Sequence, residues 1–149
     1  MAKLLRPRDL GAERDRDRAD AQRDYAGSVM SDTKWRSALY GLLDPDLNLQ
    51  QVIIKFIGSD REHRMRLPGL HPPHGYFYSG EFGVYPIVAI EWLEVPQEAE
   101  YPTGRLYGPQ VRYEVQDLDG ARAVLTETGK KYVIEETPRG FRIIGHVAR

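Results

Sequence analysis

The chain has 149 residues, of which 41% are hydrophobic and 29% charged, a balance typical of one globular domain. Its 21 Lys and Arg residues nearly match 22 Asp and Glu, so the net charge of −1 favours neither nucleic acid nor an acidic membrane as a global partner. The absence of cysteine excludes disulfides, thiolate metal sites and a cysteine nucleophile, and it favours a cytoplasmic location. We expect neither a signal peptide nor a membrane span, because no apolar run is long enough.

Residues 1–29 differ in composition from the rest of the chain. They are rich in both basic and acidic residues and poor in large apolar ones, so they can bury little surface on folding. We predict a flexible or weakly helical charged arm here, and a single α+β domain over residues 30–149. Because a helix cap follows Met30 directly, an alternative is that Met30 is the natural start and that the arm is upstream translated sequence.

The first elements of the domain are a helix and a pair of strands. Ser31 or Asp32 can cap a helix that ends near Leu43, before Pro45. Its apolar stripe comprises Trp35, Leu39, Leu42 and Leu43. Residues 51–57 and 61–67 then alternate as two strands joined by a turn. Arg64 and Arg66 fall on a charged face of the second strand, which is either solvated or a patch for an acidic partner.

The segment from residue 68 to 86 combines turn residues with large rings. Its prolines and glycines predict no regular structure, but it holds too many aromatic side chains for a linker without a structural or binding role. We expect some rings to cover the core and one or two tyrosines to remain exposed for contact with a partner. The rings are Tyr76, Phe77, Tyr78, Phe82 and Tyr85.

The stretch from Tyr85 to Pro96 predicts the central strand of the fold. With a period of two, Val88, Ile90 and Trp92 share one face and the other face is also mostly apolar, which indicates an interior strand. Glu91 is the exception, because a carboxylate in such a strand needs a partner or water. A salt bridge to an arginine on a neighbouring strand and a single perturbed carboxylate are the two interpretations.

The remaining chain predicts a loop, a strand, a helix and a hairpin. Residues 97–110 are polar and rich in turn residues, and residues 111–116 alternate as a strand. A helix from Asp117 or Asp119 to about residue 128 precedes a hairpin of residues 132–136 and 141–146. The predicted fold is therefore α+β, a mostly antiparallel sheet of about five to six strands with two helices.

Catalytic and metal-binding motifs are weak in this sequence. His71 and His74 could bind a metal together with His63 or Glu81, but the intervening prolines would spread the imidazoles apart. No GxSxG, P-loop or GxGxxG motif is present. We therefore expect no metal or other cofactor and assign no catalytic residue.

Three short motifs carry a resemblance to known proteins. Thr33, Lys34 and Trp35 open the first helix, IEWLE spans residues 90–94, and GFRIIGH spans residues 140–146. Together they resemble a family of small bacterial single-domain proteins of unknown function, with a TKW start and an IEWLEI-like strand. The likeness covers about residues 31–147 and excludes the arm. It implies a compact cytoplasmic bacterial protein of the size of many immunity or accessory proteins, and it brings no catalytic residues.

These observations lead to three hypotheses about function. The leading one is a non-enzymatic protein-binding domain, such as an immunity-type or accessory protein that binds a toxin or another bacterial protein. Its contact residues would be Tyr76, Phe77, Tyr78, Phe82, Arg64 and Arg66. The alternative is a small enzyme or ligand-binding protein that uses Glu91, His71 and His74, and the third is an RNA-binding protein. The sequence does not fix the oligomeric state.

Overall fold

The computed structural model describes residues 8–71, 75–81, 83–102 and 111–149 of the chain. Its helices are α1 (Leu10–Asp24), α2 (Asp32–Leu42) and α3 (Leu118–Glu127). Its strands are β1 (Tyr25–Ser28), β2 (Gln51–Phe56), β3 (Glu62–Arg66), β4 (Gly69–His71), β5 (Tyr76–Ser79), β6 (Gly83–Pro86), β7 (Ile90–Pro96), β8 (Glu98–Pro102), β9 (Val111–Val115), β10 (Ile134–Glu136), β11 (Gly140–Ile144) and β12 (His146–Ala148). The predicted α+β class is confirmed.

The largest sheet has five antiparallel strands in the order β10-β11-β7-β2-β3. β7 lies in the middle, with Leu93 opposite both Ile54 of β2 and Ile143 of β11. The prediction of an interior strand is therefore confirmed for β7. It was wrong for the residues before Ile90, which form β6 of another sheet and a 3-10 helix, Ile87–Ala89. Pro86 ends β6, has no N–H to donate to a further strand, and is the N-cap of that helix in extended conformation.

A β-bulge at Glu91 changes which side chains of β7 share a face. Phe56 lies opposite Ile90 and Lys55 opposite Trp92, so Glu91 is the extra residue on β7. Ile90 consequently joins Leu93 and Val95 in the core, and Trp92 lies on the opposite face of the sheet. The predicted grouping of Ile90 with Trp92 was wrong because strict alternation cannot anticipate an inserted residue.

The core fills the space between one face of the large sheet and helices α2 and α3. The α2 helix, whose N-terminal Lys34 N–H donates to Ser31 Oγ at 3.1 Å, buries Trp35 and Leu39 there. The α3 helix buries Leu125. Leu43 was predicted to belong to the buried stripe, but it is the C-cap residue of α2 and is exposed, because the chain leaves the helix there.

Three smaller sheets surround this core: β4-β5-β6, β8-β9 and β1-β12. The prediction of no regular structure over residues 68–86 was wrong. Its turn residues separate short strands instead of preventing them, since Pro68 precedes β4 and Gly83 takes a φ of +94° where β6 begins. The predicted polar loop over residues 97–110 was also wrong in its first half, which forms β8.

The charged N-terminal segment forms α1 and β1. Asp9 caps α1 by accepting from the Ala12 N–H at 3.0 Å, and Ala21 is the buried residue of this helix. The following strand pairs with β12, with Ser28 opposite His146. The division of the chain into an arm over residues 1–29 and a domain stays a prediction. Among the described residues, no helix has both the length and the apolar character that crossing a bilayer requires.

Gly140 lets β11 approach β7 closely, which gives a direct test of the sheet. A Cβ built on Gly140 would overlap the backbone oxygen of Val95. We expect Gly140→Ala to lower the free energy of unfolding in urea by about 1–3 kcal/mol, because neither β11 nor β7 can shift without disturbing the core. Gly69→Ala is the matched control, since a Cβ there meets no atom within 4 Å. Equal effects of the two changes would contradict this packing.

Candidate functional site

The predicted aromatic surface is largely internal. Tyr76 and Phe77 are buried, and the Phe77 ring packs against Phe56 and Tyr85 at centroid distances of 6.1 and 5.9 Å. Tyr78 is 48% exposed. Phe82 lies outside the described residues. A partner surface on this segment would therefore rest on Tyr78, since the buried rings contribute to the core.

Helix α1 and Arg8, which precedes it, cover part of the same aromatic segment. The Arg8 guanidinium lies 5.3 Å from the centre of the Tyr85 ring and donates a hydrogen bond to the Val84 carbonyl at 2.8 Å. Arg14 lies 5.8 Å from the centre of the Tyr76 ring. Sequence reasoning treated the arm and the rings separately, whereas the structure brings them together.

The two predicted arginines differ in their surroundings. Arg64 donates to the Glu98 carbonyl at 3.0 Å and forms an ion pair with Glu100 at 3.3 Å, so it links β3 to β8. Arg66 is exposed at the end of β3. The charged face of β3 therefore serves in part to hold β8 in position.

The alternative site centred on Glu91 contains a satisfied polar cluster. Lys55 Nζ lies 2.7 Å from Glu91 Oε2, so the ion pair to a neighbouring strand is formed with lysine instead of the predicted arginine. The Tyr25 hydroxyl also bonds to Glu91, and burial together with this bond raises the pKa of Tyr25 to about 12. His74 and the side chain of His71 lie outside the described residues. Within the described ranges, no group of three or more His, Cys, Asp or Glu could hold a metal ion.

The β8-β9 hairpin carries an exposed apolar surface that sequence reasoning did not assign to a site. All residues of β9 are exposed. Val111, Tyr113 and Val115 share one face and are 41%, 58% and 68% exposed. Arg112 and Glu114 lie on the other face, 3.3 Å apart in an ion pair. An exposed strand with a continuous apolar face is a common feature of interaction sites.

The side chain of Gln51 attaches this hairpin to the large sheet. Its Oε1 accepts from the Glu100 N–H and its Nε2 donates to the Glu100 carbonyl, both at 2.8 Å. The side-chain amide of Gln51 thus makes the two hydrogen bonds to β8 that a peptide group of an adjacent strand would make. Gln51 is itself buried in β2, so the attachment is made from the core outward.

A second buried amide, that of Gln116, holds the end of β9. Its Oε1 accepts from the backbone N–H groups of Gln50 and Gln51, both at 2.8 Å. Its Nε2 donates to the Gln51 carbonyl at 3.0 Å and to the Pro96 carbonyl at 2.8 Å. Every hydrogen-bonding position of this amide is therefore used. The two glutamines fix the position of the hairpin relative to β2 and β7.

The hydrogen bonds also show which backbone groups of β9 are open. The peptide groups of Glu100 face Gln51, so the Glu100–Tyr113 pair is one that exchanges no hydrogen bonds across the hairpin. The Gln116 N–H donates to the Gln97 carbonyl at 2.8 Å, which agrees with this alternation of bonded and non-bonded pairs along the hairpin. The N–H and C=O groups of Val111 and Tyr113 therefore point away from β8, and no other described strand pairs with that edge.

Comparison with protein-family models, with curated proteins and with solved structures finds no match to this chain. The resemblance to small bacterial single-domain proteins therefore stays a prediction. The candidate function depends on the geometry of the described residues, above all on the exposed strand β9.

Proposed function

We propose that this protein is a non-enzymatic protein-binding domain that contacts its partner through β9. The observation that carries the proposal is an exposed, largely apolar strand with an open edge on a hairpin attached by buried glutamines. Addition of a strand to such an edge supplies affinity through main-chain hydrogen bonds and specificity through alternate side chains. Apolar and aromatic side chains at the centre of the contact supply most of the binding energy.

The attachment of the hairpin supports binding for an energetic reason. A loop that becomes ordered only on binding loses conformational entropy at that moment, which weakens the complex. Gln51 and Gln116 already hold the hairpin before any partner arrives. The strand can therefore pair without a large ordering cost.

A finer proposal concerns the biological class. An immunity-type or accessory protein in the bacterial cytoplasm agrees with the size of the chain, its lack of cysteine and the resemblance of its short motifs. Its partner would be a toxin or another bacterial protein. For the alternative based on Glu91, the ion pair with Lys55 gives that carboxylate a structural role.

Site-specific photo-crosslinking in bacterial cells tests the proposal. A benzoyl-phenylalanine replaces Tyr113 in one variant and Tyr40, a still more exposed tyrosine on α2, in the control. We expect a discrete cross-linked product from position 113, lost when Val115→Asp is added, and no such product from position 40. Absence of any product from position 113 would overturn the proposed contact surface. For an immunity-type protein, the captured partner would be a toxin that the wild type inhibits and the Val115→Asp variant does not.

A further inference from the structure

The sequence of β9, Val-Arg-Tyr-Glu-Val, is nearly the same in both directions about its central tyrosine. Read in reverse, it keeps the two valines and the tyrosine in place and exchanges Arg112 with Glu114. Two copies of such a strand in antiparallel orientation would therefore place opposite charges across from each other. A two-fold symmetric contact requires this kind of self-complementarity.

The backbone geometry of the open edge agrees with pairing centred on Tyr113. In that register Tyr113 faces its own copy and Val111 faces the copy's Val115. Because the peptide groups of Tyr113 point toward the open edge, the two Tyr113 residues can exchange both hydrogen bonds. On this open edge, Asn48 Nδ2 already donates to the Val115 carbonyl at 3.2 Å. That oxygen has a second lone pair, so it can still accept a hydrogen bond from the copy.

The charged face then gains its own cross-strand pairs. Arg112 would lie opposite the copy's Glu114 in a pair without backbone hydrogen bonds, the type in which side chains approach most closely. Within one chain these two residues are already aligned at 3.3 Å on an exposed face. Pairing of two β9 strands would bring the Arg112–Glu114 ion pair of each copy into one cluster of alternating charges.

Other registers are disfavoured by like charges. An antiparallel pair centred on Arg112 would put two arginines directly opposite each other, and a pair centred on Glu114 would do the same with two glutamates. Like charges directly opposite each other destabilise a strand pair. The sequence of β9 thus favours one register and penalises its neighbours, which is how specific pairing is achieved.

We propose that the partner at β9 is a second copy of this chain, joined by antiparallel β9-β9 pairing about a two-fold axis at Tyr113. The inference rests on the proposed function, because it names the partner of the same strand. The result would be one continuous antiparallel sheet across both copies. The contact is smaller than a standard interface, so we expect a reversible dimer with a dissociation constant above about 1 μM.

Charge exchange at the two flanking positions tests this pairing. Sedimentation velocity over a concentration series should show a wild-type dimer that dissociates on dilution. Arg112→Glu alone and Glu114→Arg alone each place like charges opposite each other, and each should weaken self-association by on the order of tenfold or more. An equimolar mixture of the two variants should form a heterodimer near wild-type strength. The double variant Arg112→Glu/Glu114→Arg should again form a homodimer.

The rescue separates pairing from effects on folding, because a misfolded variant would not recover on mixing. A wild type that remains monomeric up to about 1 mM would overturn the self-pairing. So would a mixture that fails to associate while each variant keeps its circular dichroism spectrum. The mass of the product cross-linked at position 113 distinguishes the proposed self-pairing from the broader proposal of a protein-binding strand. A product of twice the chain mass supports self-pairing, and a different captured protein with a monomeric wild type overturns self-pairing but leaves the proposed function standing.

Discussion

Replacing Arg139 and Arg142 together with methionine should lower the free energy of unfolding by about 3–5 kcal/mol. Both contact Glu94, whose side chain is 0% exposed in the middle of β7. Arg142 Nε donates to Oε1 at 2.8 Å, and Arg139 Nε forms an ion pair with Oε2 at 2.7 Å without the alignment of a hydrogen bond. The double variant leaves a buried carboxylate without these cations, and the stem of methionine preserves much of the apolar contact.

The two arginines are not equivalent in this cluster. Burial favours the neutral form of Arg139, but its hydrogen bond to Glu62 and the charge of Glu94 outweigh burial and raise its pKa. Arg142 also lies 3.9 Å from the centre of the Trp92 ring. The cluster therefore places two cations over the buried carboxylate on the outer face of β7.

Urea unfolding with a third substitution gives the control. Adding Glu94→Met to the double variant should recover most of the lost free energy, because no buried charge then remains. Arg23→Met removes ion pairs to Asp20 and Asp24 at the exposed surface, and we expect no change in the unfolding midpoint. A triple variant as unstable as the double would show that the uncompensated charge is not the cause.

Replacing Gln116 with leucine should lower the free energy of unfolding by about 2–4 kcal/mol and loosen the β8-β9 hairpin. The change removes the partner of two N–H groups, those of Gln50 and Gln51, and of two carbonyls, those of Gln51 and Pro96. Leucine fills a similar volume, so the unsatisfied backbone groups dominate the loss.

Hydrogen exchange locates the effect of this substitution. In the Gln116→Leu variant, the amide of Glu114 should exchange faster by more than the change in global stability explains, because β9 opens locally. Gln97→Leu is the control, since its side chain is exposed. If the β9 amides follow global unfolding in both variants, Gln116 does not hold the hairpin in position.

The central strand could be predicted because its signal is local. The stretch from Ile90 to Val95 has large apolar residues on both faces and a proline at its end, which indicates an interior strand, and the structure places β7 in the middle of the sheet. The caps at Ser31 and Asp117 are equally local, and both begin helices. Strand order, by contrast, depends on contacts between distant residues and was not predicted.

The aromatic segment shows where local reasoning failed. Proline and glycine were interpreted as signs of irregular structure, but short strands fit between them, and pairing of β5 with β4 and β6 buries Phe77. Ring count alone cannot distinguish a core from a contact surface. That distinction depends on what covers the rings, and here Arg8 and Arg14 of the charged arm contribute.

The candidate site was visible in the sequence only as an alternating strand. The pattern over residues 111–116 predicts β9, but alternation does not say whether the apolar face is covered. The attachment of the hairpin was not predictable, because Gln51 bonds to Glu100 and Gln116 bonds to Pro96 across long stretches of chain. The reverse symmetry of Val-Arg-Tyr-Glu-Val is the sequence signal that could have identified the surface.

The pairing of β1 with β12 has a consequence for the order of folding. It joins residues 25–28 to residues 146–148, so it closes a loop of most of the chain. Loop closure of this length costs more entropy than forming the local hairpins β2-β3 or β10-β11. We expect the hairpins to form early and this pair to close last. Substitutions in β1 would then mainly accelerate unfolding and leave the folding rate almost unchanged.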